Sequence, residues 1–291
     1  VPATSNPIPF RRVAVIGTGL IGGSFALALR KKFPAIEITG YDRPEAVARA
    51  LARGSITRGS VDLAGAIRDA HLIYIALPIG ATIEALSGIA AVASEGALVT
   101  DAASTKQVIC RAAAQQFASG ARFLGGHPMA GKETSGVENA TAELFEGSRY
   151  ALIGAESDAD ARVKAFASLV REIGAEPVWC DAETHDWAVG AVSHLPQMVA
   201  IALARVVRDE TDETGLPVAL AGPGLKDMLR IAGSSYGLWR DIALTNAENI
   251  TRLLDRMTQA IEFLRTRLTS KELGDEFANA NEVYKLLNRP R

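Results

Sequence analysis

The chain has 291 residues, 48% hydrophobic and 22% charged, which suits one or two globular domains with sizeable cores. A net charge of −2 leaves no basic field for nucleic acid or an acidic membrane surface, although a few local Arg or Lys residues still suffice for a small anion. Two cysteines, Cys110 and Cys180, form no disulfide framework and read as reduced, buried thiols of a cytoplasmic protein.

The first apolar run, 13–16, leads into Gly17-Thr18-Gly19-Leu20-Ile21-Gly22 and then an Ala/Leu helical pattern. A strand, a turn and a helix explain 13–29 better than a membrane span, which wants about 20 apolar residues. In that setting Gly17 permits the tight turn, Gly19 lets backbone approach a pyrophosphate, and Gly22 allows close helix–strand packing. The helix start, with Leu20 and Ile21, presents unpaired N–H groups to the phosphates.

A second run, 36–38, ends in Tyr41-Asp42. Asp42 stands twenty residues after Gly22, where a carboxylate accepts hydrogen bonds from the adenosine ribose and repels a 2′-phosphate. That favours NAD. Arg43 beside it tolerates a phosphate, so NADP stays open. Further apolar runs at 72–76, 97–100, 150–153 and 177–180 alternate with Ala-rich helical patterns. They predict a parallel sheet buried on both faces and an α/β Rossmann dinucleotide-binding domain over 1–180. Ligands in such sheets bind beyond the carboxyl ends of the strands. Ala76, Leu77 and Pro78 are expected on the adenine or ribose side, and Asp101 with Ser104 near the nicotinamide.

From 181 to 291 the pattern is helical, with apolar spacing over 183–209, 215–231 and 238–267. Ile250, Leu253, Leu254, Met257, Ile261 and Leu264 form one stripe, which predicts a homodimer built on these helices. The tail, 269–291, reads as one more surface helix. Among the four histidines, His71 and His185 read as structural or solvated, and no grouping has metal-ligand spacing. His127 lies in a glycine-flanked loop after a strand, and His194 in the first long helix. By position alone, each suits a satisfied structural group at least as well as a base.

Several motifs occur in a fixed order: 17–22, Asp101-x-x-Ser104-x-Lys106, Gly126-His127-Pro128-Met129-Ala130-Gly131, Ser193-His194-Leu195-Pro196, Asp227-x-x-Arg230 and Trp239-Arg240-Asp241. Over residues 12–267 this series resembles the prephenate/arogenate (cyclohexadienyl) dehydrogenase family of tyrosine biosynthesis. The resemblance implies NAD-dependent oxidative decarboxylation of a cyclohexadiene acid, prephenate or arogenate. It implies His127 as acceptor of the hydroxyl proton, Ser104 as its hydrogen-bonding neighbour, and His194 as a substrate-positioning group. It further implies Arg230 on a substrate carboxylate, Lys226 and Trp239 as pocket neighbours, and Glu133 and Asp227 in an ionic network with the arginine. Lys132 stands where relatives often have a small hydroxyl residue, and Gln197 where some have a second histidine, so both bear on the choice of substrate. Two alternatives stay open: a dehydrogenase of the 3-hydroxy-acid or imino-acid-reductase type, and a non-catalytic dinucleotide sensor.

Overall fold

The computed structural model describes residues 10–118, 120–132 and 134–289. Its first half is built on β1 (Arg12–Ile16), whose side chains alternate between two apolar layers. Val13 and Val15 enter one core with Phe25, Leu29 and Tyr74; Ala14 and Ile16 enter the other with Ile67, Leu86 and Val99. Burying each of the Val, Leu, Ile and Phe side chains contributes about 1.5–3 kcal/mol. Helices α1 (Leu20–Lys32), α2 (Pro44–Ala52), α3 (Leu63–Ile67), α4 (Ile79–Val92) and α5 (Gln107–Gln116) supply the covering layers. They link β1 to β2 (Glu37–Tyr41), β3 (Arg58–Ser60), β4 (Leu72–Ile75), β5 (Leu98–Asp101) and β6 (Arg122–Leu124). All six strands are parallel, in the order β3-β2-β1-β4-β5-β6 of a Rossmann fold.

The runs at 150–153 and 177–180 are strands, but they do not join this sheet. They form a second one: β7 (Gly126–Pro128) pairs antiparallel with β8 (Arg149–Ile153), and β8 pairs parallel with β9 (Glu176–Cys180), following α6 (Ala161–Glu172). The turn at Gly125 and Gly126 redirects the chain across the carboxyl end of β5. A Cβ on Gly126 would stand 2.7 Å from the Asp101 carbonyl oxygen, so only glycine fits that crossing.

After Cys180 the chain is helical: α7 (Ala182–Val189), a π-helical turn (Gly190–His194), α8 (Leu195–Asp209), α9 (Leu216–Ala219), α10 (Pro223–Leu229), α11 (Tyr236–Thr245), α12 (Ala247–Arg265) and α13 (Leu273–Leu287). The π turn has a local cause. Pro196 has no N–H for the ordinary ladder, and the Leu195 N–H reaches back five residues to the Gly190 carbonyl. From α7 to α8 the helix is long and apolar enough to cross a membrane by length and composition, 28 residues at a hydropathy of 1.4. Yet His185, Asp186, His194 and Gln197 on it are buried within the protein, and a lipid span would strand that polar row. The predicted stripe on α12 is split: Ile250 and Leu253 are buried, whereas Ile261 and Leu264 are exposed. Both cysteines are free and partly exposed, a correction to the expectation of buried thiols; loss of hydration still pushes the Cys110 thiol up to about 12.

Candidate active site

At the carboxyl end of β1, Gly17 has φ of 92°, and a Cβ there would overlap the Ala76 carbonyl oxygen. On Gly22 a Cβ would overlap the Gly17 carbonyl oxygen. Gly19 caps α1 with open space where a Cβ would stand and with no side chain bonded to the helix end. The first amides of α1, around half-buried Leu20 and Ile21, are thus left for an anion. Asp42 is held in place: Oδ2 accepts Thr18 N–H at 2.8 Å and Thr18 O–H at 3.2 Å, and Oδ1 accepts Arg43 N–H at 2.8 Å. The half-buried carboxylate keeps a lone pair for a ribose hydroxyl. Leu77 and Pro78 follow Ala76 at the start of α4, beside the same glycine loop. This cradle fits a dinucleotide.

Asp101 departs from its expected role. Its carboxylate has no exposed surface. Oδ2 accepts from the Lys106 ammonium and from Ala103 N–H at 3.0 Å, and Oδ1 from Gly126 N–H at 3.2 Å. Lys106 also donates to the Gly126 carbonyl at 2.7 Å. A buried charge needs such a partner, so this pair braces β7 against β5 instead of touching cofactor. Ser104 follows at the strand end, half-buried and with no hydrogen bond among the described residues. No Ser104–His127 hydrogen bond is present among the described residues, and the imidazole Nδ1 has another partner.

That partner is His185, which sequence reasoning set aside as structural or solvated. His127 Nδ1 lies 3.0 Å from His185 Nε2, and His185 Nδ1 lies 2.8 Å from Asp186 Oδ1. The signal available in the sequence was the adjacent His-Asp pair at a helix start, indistinguishable there from a solvated cap. The His127 ring keeps some exposed surface, yet its dense surroundings hold it well below the usual histidine range. Loss of hydration is the main cause, followed by His185, Lys106 and His194.

His194 sits at the end of the π turn, buried, with its ring edge-on to Trp239 at 5.7 Å. Burial holds it at about 4, against a raising contribution from Asp186. Asn246 fixes its tautomer. The carboxamide oxygen accepts from Asn249 at 2.9 Å, so the Nδ2 group donates to the Asp186 carbonyl at 2.8 Å and to His194 Nδ1 at 3.0 Å. Neutral His194 then carries its proton on Nε2 and is a donor. The Trp239 N–H is buried and without a partner among the described residues.

Carboxylates of the helical region cap two Rossmann helices. Asp186 accepts Lys106 N–H at 2.7 Å and Gln107 N–H at 2.9 Å at the start of α5, and Asp241 accepts Gly80 N–H at 3.0 Å at the start of α4. These caps hold the histidines beyond the carboxyl ends of the strands. Gln197 is buried one turn after His194. Lys226, Asp227 and Arg230 are exposed on and beside α10, which packs on α8. Lys132 is exposed, 3.5 Å from the Asn139 carbonyl, and Glu133 lies outside the described residues. No group of three or more His, Cys, Asp or Glu among the described residues is arranged to hold a metal.

Residues 25–178 match the family model for the prephenate dehydrogenase nucleotide-binding domain, and residues 181–280 match that for the prephenate dehydrogenase dimerization domain. A prephenate dehydrogenase of Lactococcus lactis subsp. cremoris is 34% identical, over 94% of this chain and 78% of the relative. The crystal structure of prephenate dehydrogenase from A. aeolicus with hydroxyphenyl propionate and NAD+ superposes with a TM-score of 0.88 at 29% identity, covering 97% of this chain and 100% of the other. Synechocystis arogenate dehydrogenase gives 0.80 at 28% identity, covering 95% and 99%.

Proposed function

The chain belongs to the prephenate dehydrogenase family, and on that premise we propose that it oxidatively decarboxylates prephenate with NAD, with arogenate as the alternative substrate. One observation carries this beyond the family match. What supports it is that His127, the acceptor in this reading, and His194, its donor, are near enough for His194 to depress the His127 pKa, beyond the carboxyl ends of the Rossmann strands.

The substrate class carries a ring hydroxyl opposite a ring carboxylate. NAD, held by the Gly17–Gly22 turn and Asp42, supplies an acceptor for the hydride on the hydroxyl-bearing carbon. His127 takes the hydroxyl proton at Nε2, and its desolvation keeps the ring neutral and ready at neutral pH. Ser104 holds the same hydroxyl. His194 Nε2–H and the Trp239 N–H donate to polar groups of the substrate, which satisfies a buried donor left open in the protein. Arg230 pairs with a substrate carboxylate through its planar fork. Loss of CO2 then aromatises the ring, so the residues need only orient, deprotonate and neutralise. The helical region assembles two copies through its exposed apolar faces.

The test is steady-state kinetics with NAD or NADP and with prephenate or arogenate, following absorbance of the reduced cofactor. His127→Asn lowers kcat by about a hundredfold to ten-thousandfold with little change in KM, and Arg230→Gln chiefly raises KM. No turnover on either acid by the wild-type protein would sink the proposal.

A further inference from the structure

We propose that His185 and Asp186 form with His127 a closed proton relay, which sets the tautomer of the base and stores its proton within the protein. It rests on His127 being the base in the reaction above.

The hydrogen-bond directions follow from chemistry. The Asp186 carboxylate only accepts, so a neutral His185 carries its proton on Nδ1 and leaves Nε2 as a lone pair. His127 must then donate from Nδ1, at 3.0 Å, which leaves its own Nε2 as a lone pair for the substrate. Asp186 cannot turn away, because the Lys106 and Gln107 amides hold both its oxygens. The adjacent residues His185 and Asp186 thus convert a helix cap into an orienting device for a side chain 58 positions earlier.

Charge gives the relay its second role. An imidazolium at residue 127 would face the Lys106 ammonium, His194 and His185 in a desolvated setting. The Asp101 carboxylate nearby is already paired with Lys106. Passing the proton on removes this conflict. The substrate O–H proton goes to His127 Nε2, and the electron pair stays on the oxygen. The Nδ1 proton of His127 moves to His185 Nε2. His127 ends neutral, and the cation lies on His185 beside the Asp186 carboxylate. The overall reaction releases no proton, since the oxygen that loses one becomes a phenol oxygen and takes one back. A relay buried at His185 and Asp186, 3% and 0% exposed, suits a proton that is lent and returned.

Histidine-15N NMR of the wild-type protein, with the His127 signals assigned by their loss in His127→Asn, reads the tautomers directly. The relay requires Nδ1–H on both His127 and His185 in the neutral state. An Nε2–H form of His127 overturns it. Asp186→Asn removes the charge: kcat falls at least about tenfold, KM holds, and the acid limb of kcat/KM moves to lower pH. Should that variant lose its fold with the α5 cap, His185→Phe keeps the cap and ring volume and gives the same fall in kcat. A folded variant with kcat within about threefold of wild type overturns the relay. Absence of wild-type turnover would count against the reaction alone, because the tautomers answer independently.

Discussion

Burial of ionisable groups costs this protein stability at low pH. His194 is held at about 4, whereas an unfolded histidine titrates near 6.5. Between those values the unfolded chain binds the extra proton. The contribution is therefore complete above about pH 6.5 and is lost as pH falls toward about 4, at up to about 1.4 kcal/mol per pH unit for one group. His127 has the same sign. Thermal midpoints should fall between about pH 6.5 and about pH 4.5, and a flat profile there would contradict the burial of both rings. At this scale the ordered motif series, through its family resemblance, singled out His127 and His194, whereas position alone suited a structural histidine at least as well. The partnership of His127 with His185 was not legible, since it depends on two segments meeting through Asp186 and the start of α5.

Among the elements, the glycine turn is the most constrained by sterics. A Cβ on Gly22 overlaps backbone that no rotamer change can move, so Gly22→Ala should push α1 off β1. Calorimetry with NAD is the check: binding at wild-type affinity would show that the crossing has slack. β6 precedes the glycine-flanked loop as the sequence implied, whereas β3 and β7 have three residues each and no apolar run to announce them. Pairing to a neighbour makes them strands, and propensity has little part in it. β8 and β9 were recognisable as strands but not as members of a second sheet, because a half-buried strand looks alike in either.

Over the whole molecule, the helical half leaves much apolar surface uncovered. Val192 is 70% exposed, Leu244 74%, Leu268 67% and Phe277 73%, apolar surface that a second copy would cover. Ile261, 56% exposed on α12, is well placed to report on assembly. Ile261→Asp should shift sedimentation from dimer toward monomer, and an unchanged dimer would remove that part of α12 from the interface. The order of strand, glycine turn, helix and acidic strand end determined the Rossmann half from sequence alone, because each signal is a short-range steric or hydrogen-bonding demand. Tertiary structure decided which carboxylate meets which cation or histidine. Asp101 braces Lys106, and Asp186 orients His185, because desolvation leaves each buried charge only the partners that folding brings within reach.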